Sequence, residues 1–397
     1  MAEMEKDEVK MESQNEDQVA ENSLPTANIL VAGITGTGKS TLLNAVFGDD
    51  VAKTGTGRPV TDHMDEYANE NVPIRIWDTV GLELDSEKTK ESINAMRETI
   101  ASKALSEDEF DRIHAIWYCV NSGSSRLQSA EVDFIQQLHS LGVPFIIIMT
   151  QCTDADSKIE EFKQIISSIL TEAGMHDITV IPVCAKPFET RLGVIPAFGL
   201  DTLVDTTLQK MPEFIKDGFI AAQKVSKQQK RMVCEKQIVP YVRRALDGTL
   251  DNIWLVNIPR TNRNIVNLLS DIARTYNTIL SEKQLKQLTE NLNVTFKNIF
   301  DGLINPFNNE YQNRIDRLFE QKKAEGFEVE IANQTKRAKA ARMIAFFGYT
   351  FIDCVEEVWD QIKDEKLKSI DEIIEMLTVK INAHLNRGKS TSSKRIG

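Results

Sequence analysis

A short stretch near the N-terminus, VAGITGTGKSTLLNAVFG (residues 31–48), limits most strongly what this chain can fold into. Three glycines, Gly33, Gly36 and Gly38, lie between an apolar run at 27–32 and an amphipathic pattern that begins at Ser40. Glycine lacks a Cβ, so its backbone adopts unusual angles easily and lets a ligand come close. The order of these features predicts a buried strand, a tight loop and a helix.

Residues 33–40 of this stretch have the spacing G-x-x-x-x-G-K-[ST], which is typical of loops that bind phosphate. In such a loop the backbone N–H groups and the helix N-terminus surround the anion, and Lys39 reaches the β- and γ-phosphates. The Ser40 hydroxyl is then expected to bind Mg²⁺. An ordinary glycine-rich turn is the alternative. The residues expected to contact the nucleotide here are Gly33, Thr35, Gly36, Thr37, Gly38, Lys39, Ser40 and Thr41.

The composition of the whole chain narrows the class of protein. Its 397 residues include 41% hydrophobic and 27% charged side chains, as in globular proteins of two or three domains, or of one large domain with a smaller partner. The formal net charge of −12 argues against nucleic-acid binding over the whole surface. The sequence shows neither an apolar signal segment nor a run of roughly 18 apolar residues that could span a membrane. We therefore expect a cytoplasmic protein that binds no nucleic acid.

The cysteines and histidines give no sign of a disulfide framework or a zinc site. Five cysteines, at positions 119, 152, 184, 234 and 354, are scattered without a C-x-x-C pair. This pattern favours a reduced, cytosolic protein. The five histidines lack the spacing H-E-x-x-H or a comparable ligand pattern, so no zinc is expected.

Composition and periodicity divide the chain into four segments. Residues 1–23 are acidic and residues 386–397 are polar and basic, so both ends are predicted to be disordered. Within 24–213, apolar runs alternate with amphipathic patterns, which predicts an α/β domain with a doubly wound, mostly parallel sheet. Predicted strands cover 27–32, 72–78, 113–120, 144–150 and 178–185, and predicted helices cover 86–104, 126–141, 156–173 and 201–213. Residues 214–385 show helical spacing without strands, which predicts an all-helical domain.

A second motif follows the predicted strand 72–78, where residues 78–81 have the form D-x-x-G. The Asp78 carboxylate is expected to hold Mg²⁺ through water, and the Gly81 N–H to contact the γ-phosphate. In the preceding loop TGTGRPVTDH (54–63), a threonine can close over Mg²⁺ in the triphosphate state. Thr61 is the favoured residue, with Thr54 and Thr56 as alternatives and a plain connecting loop as the other explanation. The candidate metal ligands are thus Ser40, Thr61 and Asp78, and the candidate catalytic residues are Lys39, Thr61 and Gly81.

Two later strand ends carry residues that suit a nucleobase. TQCTD (150–154) follows one predicted strand, and a carboxylate there can accept hydrogen bonds from guanine N1–H and N2–H, which adenine does not offer in the same way. CAK (184–186) follows another, and its backbone N–H groups can bind guanine O6. The candidate base-binding residues are Thr150, Gln151, Asp154, Cys184, Ala185 and Lys186.

With these motifs in order, residues 27–213 resemble a TRAFAC-class P-loop GTPase of the Era-like and septin/dynamin-like broad group. GITGTGKST, WDTVG, TQCTD and CAK stand where that group carries its P-loop, D-x-x-G, [NT]-K-x-D and S-A-K motifs. The phosphate-binding sequence is also similar to that of the immunity-associated and chloroplast-import GTPases. The resemblance implies binding of GTP and GDP with Mg²⁺, and hydrolysis of GTP.

The third of these motifs, TQCTD, leaves the choice of base open. Gln151 or Cys152 stands in place of the lysine that lies along the base in the group. If Thr150 is aligned with the first position of [NT]-K-x-D, then Thr153 rather than Asp154 takes the place of the aspartate. ATP is therefore an alternative ligand.

The residue after Gly81 points to slow hydrolysis. Small Ras-like GTPases have a water-orienting glutamine at this position, and this chain has Leu82. The resemblance is thus to members with a hydrophobic residue here, which often depend on nucleotide-dependent dimerisation. It implies slow intrinsic turnover and a homodimer formed across the nucleotide.

The helical region does not identify a partner by itself. In KRAKAARMIAFFGYTFIDCVEEVW (336–359), a basic start precedes an apolar run, which suits a core helix, a membrane surface or a partner helix. The core helix is the favoured explanation because the apolar run is too short to span a bilayer. Three functions follow: a GTPase switch that acts on an unidentified effector through the helical domain, a dynamin-like GTPase that assembles or binds membranes, or a nucleotide-binding scaffold with little hydrolysis.

Overall fold

The computed structural model describes residues 24–48, 58–61, 64–69, 72–79, 87–124, 126–191, 193–247, 258–278, 309–332 and 336–363, with several short pieces after residue 280. The chain divides into two compact units, Met1–Val225 and Ser226–Gly397. The described part of the first unit is an α/β domain, and that of the second is helical.

Strands and helices alternate along the first unit. Its strands are β1 Ala27–Ala32, β2 Arg58–Thr61, β3 Met64–Asn69, β4 Val72–Thr79, β5 Ala115–Asn121, β6 Phe145–Thr150, β7 Thr179–Pro182, β8 Phe188–Thr190 and β9 Gly193–Ile195. Its helices are α1 Lys39–Phe47, α2 Glu87–Ala104, α3 Ser129–His139, α4 Asp156–Glu172, α5 Leu200–Lys210 and α6 Glu213–Ala222. A 3₁₀ turn at Ser122–Ser124 follows β5.

Among the described residues, β1 to β7 form one sheet in the order β2-β3-β4-β1-β5-β6-β7. In this order, the five strands β4, β1, β5, β6 and β7 run parallel to one another. Strand β3 is antiparallel to its two neighbours, β2 and β4. A buried apolar cluster lies on each face of this sheet, one including Trp77 and Tyr118 and the other Val31 and Trp117. The predicted doubly wound, mostly parallel sheet is therefore confirmed. The carboxyl ends of its parallel strands meet at one edge, where such folds bind ligands.

The two strands at one side of the sheet, β2 and β3, are not among the predicted strands. β2 has only four residues, and β3 has the sequence MDEYAN, which lacks the apolar run of a strand buried on both faces. The hairpin of β8 and β9 is also unpredicted, because its strands have three residues each and are largely exposed. Periodicity is too weak a signal for elements this short.

Helix α6 belongs to the first unit. The predicted boundary of the helical domain lies at residue 214, whereas the structure divides the chain after Val225. Ile215 and Phe219 of α6 are fully buried in the same apolar cluster as β1 and α1. At Gly218 an added Cβ would lie 1.7 Å from the carbonyl oxygen of Pro25, so α6 crosses the start of the domain in direct contact with its backbone.

The described helices of the second unit are α7 Lys227–Asp247, α8 Ile258–Thr275, α9 Asn309–Lys322, α10 Glu328–Ala332 and α11 Lys336–Lys363. A π-helical turn at Lys323–Phe327 joins α9 to α10. α7, α8, α9 and α11 contribute to one buried apolar cluster. At Gly348 of α11 an added Cβ would lie 2.7 Å from the side chain of Ile238, so α7 and α11 are closely packed. The predicted helical region is confirmed.

Helix α11 contains the basic and apolar segment that suggested a membrane surface. Its aromatic residues Phe346, Phe347 and Phe351 are at most 3% exposed and lie in the core of the helical unit. This burial supports the core-helix explanation, because these side chains are already covered. No helix within the described part of the chain has the length and hydropathy needed to cross a bilayer.

Candidate nucleotide-binding site

The loop between β1 and α1 has a backbone that only glycine accommodates easily. Gly33, Gly36 and Gly38 have φ angles of 144°, 81° and 84°. At Gly33 an added Cβ would lie 2.4 Å from the carbonyl oxygen of Cys119 in β5, so no side chain fits there. The loop therefore lies against the end of β5 and leads into α1, as the glycine spacing predicts.

Lys39 is the first residue of α1 and is only 8% exposed. Its Nζ donates a hydrogen bond of 3.0 Å to the carbonyl oxygen of Gly33, across the loop. Thr37 closes the same loop, because its N–H and Oγ1 both donate to the carbonyl oxygen of Ile34. The ammonium group is thus held at the loop, with the helix N-terminus beside it, and this arrangement can bind an anion.

The remaining predicted phosphate contacts lie around the same helix start. Thr35, Gly36, Ser40 and Thr41 are exposed. An exposed hydroxyl in the first turn of α1 is available to a ligand or a cation, which is the role predicted for Ser40. The contacts of these residues with phosphate and Mg²⁺ stay predictions.

Asp78 stands in β4, next to the strand that leads into the loop. It is in parallel register with Val31 of β1. Its Oδ1 is shielded from solvent and accepts no hydrogen bond from the part of the chain that the structure describes. Burial raises the pKa of Asp78 to about 6, and Asp65 adds to this effect while Lys39 opposes it. A buried carboxylate oxygen without a donor fits the role of an acceptor for a hydrated cation.

The chemistry of the described site suits Mg²⁺ better than a soft metal. No group of three or more His, Cys, Asp or Glu side chains that could hold a metal occurs in the described ranges. Mg²⁺ typically keeps several waters and binds one or two carboxylates together with phosphate oxygens. Ser40 and Asp78 would hold it here, and the ion would neutralise phosphate charge when bound.

The loop after β6 is hydrogen bonded to the phosphate loop. Thr150 Oγ1 donates to the carbonyl oxygen of Thr37 and lies 3.2 Å from that of Val120. Gln151 Nε2 donates a hydrogen bond of 2.9 Å to the carbonyl oxygen of Gly36. Gln151 also has a φ angle of 54°, which is uncommon for a residue other than glycine. Two consecutive residues thus fix the position of two consecutive carbonyl groups of the phosphate loop.

The two predicted base-binding segments are neighbours at the same edge of the sheet. The Cys152 N–H donates a hydrogen bond of 3.2 Å to the carbonyl oxygen of Val183, just before the CAK segment. Cys152 and Cys184 are buried, and burial raises the pKa of both thiols, so they stay protonated at neutral pH. Asp154 and Lys186 are exposed. The side chains of Asp154 and Lys186, rather than those of the cysteines, are therefore accessible to a nucleobase.

Comparison with known proteins identifies this domain. Residues 28–151 match the family described as 50S ribosome-binding GTPase. Cell division control protein 3 of Candida albicans is 25% identical over 176 residues, which are 37% of this chain and 42% of that protein. The first unit contains a TRAFAC-class P-loop GTPase domain. The chain spans less than half the length of this curated relative.

Two solved structures also resemble the GTPase domain. A probable GTP-binding protein EngB has 19% identity and a TM-score of 0.35, covering 46% of this chain and 97% of that one. The G domain of the T. maritima FeoB iron transporter has 17% identity and a TM-score of 0.29, covering 47% of this chain and 98% of that one.

Some predicted residues of the GTPase domain lie beyond what the structure describes. Gly81 and Leu82 are outside the described residues. Thr61 is the last residue of β2, and its backbone position is described. Its predicted contact with Mg²⁺ therefore stays a prediction, as do the roles of Ala185 and Lys186 at the base.

The sequence analysis does not single out Asp65, an acidic residue that the structure places beside Asp78. Asp65 in β3 is the direct antiparallel partner of Asp78. The alternation of polar and apolar residues in MDEYAN would place Asp65 and Tyr67 on one face, but only once β3 is known to be a strand.

Proposed function

We propose that this protein is a Mg²⁺-dependent switch that binds and slowly hydrolyses GTP. The observation that carries the proposal is Lys39, which is held at the start of α1 by its hydrogen bond to Gly33 within a loop of left-handed glycines. A cation in that position suits the β- and γ-phosphates of a nucleoside triphosphate. The GTPase family match at 28–151 supports guanine as the base.

The proposed dependence on Mg²⁺ rests on Asp78 and Ser40. Asp78 has a buried oxygen to which no described residue donates a hydrogen bond, and Ser40 is exposed in the first turn of α1. A cation between phosphate and these residues would offset the negative charge that Asp78 brings into a partly buried position. Thr61 is proposed to join them in the triphosphate state.

Slow turnover and dimerisation are proposed from the sequence after Gly81. Leu82 has no polar atom that could orient the attacking water. A second nucleotide domain that meets the first across the ligand would supply polar groups that a single domain lacks. The helical unit is proposed to pass the nucleotide state to an effector.

A cytoplasmic location is part of the proposal. All five cysteines lie within the described residues, where they are buried and form no disulfide. Cysteines kept as thiols are typical of proteins from reducing compartments.

A second candidate function is a GTPase that works by assembly. The resemblance of the motifs to the septin- and dynamin-like group favours it. Sedimentation with a GTP analogue separates the two candidates, because a switch that acts as a monomer or dimer forms no larger particles.

The proposed function is tested by identifying the nucleotide that copurifies with the full chain and by measuring turnover of GTP and ATP with and without Mg²⁺. Lys39→Ala should abolish binding, because it removes the charge at the phosphates. Lys158→Ala is the matched control, since Lys158 is an exposed lysine near the start of another helix, α4. Equal nucleotide affinity of the Lys39→Ala variant and the wild type would refute the assignment.

A further inference from the structure

Asp65 and Asp78 form a pair of carboxylates next to the phosphate loop. They are direct partners in the antiparallel ladder of β3 and β4. Directly opposite residues point to the same face of a sheet, with Cβ atoms about 4.5–5.5 Å apart. The hydroxyl of Tyr67, two residues along on the same face, lies 3.5 Å from Asp65 Oδ2. The tyrosine extends the polar group beyond the two carboxylates.

This pair is costly in a protein that has no cation there. Like charges directly opposite on neighbouring strands are destabilising. Asp78 Oδ1 is moreover shielded from solvent and accepts no hydrogen bond from any residue in the described ranges. The nearby Lys39 donates its described hydrogen bond to the Gly33 carbonyl oxygen, so neither carboxylate has an ion-pair partner among the residues that the structure describes.

The neighbouring acidic residue of β3 is arranged differently. Glu66 points to the other face and is paired with Arg75, at 3.2 Å between carboxylate oxygen and Nε. The two adjacent acidic residues of β3 thus differ in the charge of their partners, since Glu66 is paired with a cation and Asp65 faces another carboxylate. A divalent cation bound here would reduce the repulsion between Asp65 and Asp78. It would also give the buried oxygen of Asp78 a partner of opposite charge, directly or through a bound water.

We propose that Asp65 is a further acidic residue of the divalent-cation site, acting beside Asp78 as a positioning residue through the hydration shell of the ion. The inference rests on the proposed function, which places Mg²⁺ at Ser40 and Asp78. Mg²⁺ keeps several waters when it binds proteins, and carboxylates that accept hydrogen bonds from those waters hold the ion and its shell in place.

The test compares two effects of Asp65→Asn that a merely structural residue would not produce together. Mn²⁺ binding to the full chain loaded with GDP is measured by electron paramagnetic resonance, and thermal unfolding is measured without nucleotide or metal. Asp65→Asn should weaken Mn²⁺ binding by about tenfold, the lower end of the range for such partners. The same substitution should raise the unfolding temperature of the metal-free protein, because it removes the repulsion. Glu66→Gln is the matched control and should leave Mn²⁺ affinity unchanged.

Each outcome decides between the inference and the proposed function. If wild-type protein binds GDP and Mn²⁺ and Asp65→Asn binds Mn²⁺ equally well, Asp65 has no role at the ion and the proposed function stands. A variant with weaker Mn²⁺ binding and a lower metal-free unfolding temperature would show that Asp65 merely supports the fold. Wild-type protein that binds GDP without Mn²⁺, or binds no nucleotide, would overturn the proposed function and the inference with it.

Discussion

Gln151 Nε2 lies 2.9 Å from the carbonyl oxygen of Gly36 and donates a hydrogen bond to it, although 115 residues separate the two in the chain. The neighbouring Thr150 binds the next carbonyl group of the same loop, that of Thr37. The segment that the sequence assigns to the base therefore also holds the segment assigned to the phosphates. A nucleotide that contacts the base-binding segment can therefore affect the phosphate loop through these hydrogen bonds, and contacts at the phosphate loop can affect the base-binding segment.

The first prediction concerns this connection. Gln151→Ala should weaken GTP and ATP binding to the same extent, because the lost hydrogen bond acts on the phosphate loop and not on the base. A single neutral hydrogen bond contributes about 0.5–1.5 kcal/mol, which corresponds to roughly a two- to tenfold loss of affinity. Titration with fluorescent nucleotides measures the effect, and Gln164→Ala is the control, because Gln164 lies on the exposed face of α4. A loss for GTP alone would show instead that Gln151 recognises the base.

The second prediction concerns the choice of base. Asp154 is exposed at the loop after β6, and we expect it to accept the guanine N–H groups. Asp154→Asn should then shift preference from guanine toward xanthine nucleotides, since the amide reverses one donor–acceptor match. Competition between GTP and xanthosine triphosphate measures the shift.

The alternative alignment makes the opposite prediction for the same experiment. Thr150 and Gln151 bind the phosphate loop as a unit, and counting from Thr150 puts Thr153 in the fourth position of the motif. In that case Asp154→Asn leaves base preference unchanged and Thr153→Asp raises the preference for GTP over ATP. The two variants together therefore identify the residue that faces the base.

The third prediction concerns an ionic network in the helical unit. Arg231 of α7 binds Asp353 of α11 at 2.7 Å and also binds Glu356, and these two carboxylate side chains are each 17% exposed. Arg231→Ala leaves both carboxylates in a poorly solvated position without this partner. Because Asp353 keeps Arg314 at 3.4 Å and Glu356 keeps the Tyr276 hydroxyl, we expect a loss of about 1.5–3 kcal/mol in the free energy of unfolding.

The control for this variant lies on the same helix. Arg243 is 63% exposed and pairs with Asp247 at 3.8 Å, so Arg243→Ala should cost less than about 1 kcal/mol. Hydrogen exchange of α7 and α11 in the full chain localises the effect to the helical unit. Equal protection in the two variants would contradict the assigned role of Arg231.

The fourth prediction concerns pH. His114 Nδ1 accepts a hydrogen bond of 2.9 Å from the Asn28 N–H, which leaves Nε2 to donate to the Glu109 carbonyl oxygen at 3.0 Å. Burial lowers the pKa of His114 from its ordinary value of 6.5, so the unfolded chain takes up the proton first as pH falls. The stabilisation by neutral His114 is thus complete above pH 6.5 and is lost as pH falls toward the lowered pKa of the folded state.

Thermal unfolding of variants checks this pH dependence. His114→Gln should reduce the drop in unfolding temperature between about pH 7.5 and pH 5.5, because it removes the titrating group. His176→Gln should leave that drop unchanged, since His176 is exposed. A wild-type drop that persists fully in His114→Gln would assign the pH dependence to other groups.

The sequence predicts the parts of this fold whose signal is local. The apolar runs of β1, β5 and β6 identify buried parallel strands, and the glycine spacing identifies the phosphate loop. β3 lies between two other strands, but its sequence is polar and is typical of a loop, so the sequence analysis does not predict it as a strand. The assignment of α6 fails for another reason: an amphipathic helix shows that it has a buried face but not which core covers it.

Contacts between distant segments are the part of the site that sequence patterns do not predict. The motif spacing indicates that Thr150 and Gln151 belong to a ligand site, but not that they bind Thr37 and Gly36 of the phosphate loop. The pairing of Asp65 with Asp78 depends on the register of two strands, and a shift of one residue would move Asp65 to the other face. Both facts require the folded arrangement.

The last prediction concerns rate and assembly. Leu82 removes the usual water-orienting side chain, so the isolated monomer should hydrolyse GTP slowly, as Ras-like domains do at about 10⁻⁴–10⁻³ s⁻¹ without activators. If two nucleotide domains meet across the ligand, the polar groups of each stabilise charge in the transition state of the other. Turnover per molecule should then rise with protein concentration, and dimers should accumulate with a transition-state mimic but not with GDP.

A dilution series over about a hundredfold range, with sedimentation in parallel, separates self-activation from the alternative of an external activator. Lys39→Ala serves as the control, because it should show neither turnover nor nucleotide-dependent dimers. Self-activation requires both a rising specific activity and a dimer in the presence of the mimic, since the same contact produces both. A flat activity profile with a monomer in every nucleotide state would assign the missing catalytic group to a separate activator protein, because the isolated domain and its own copies would then lack it.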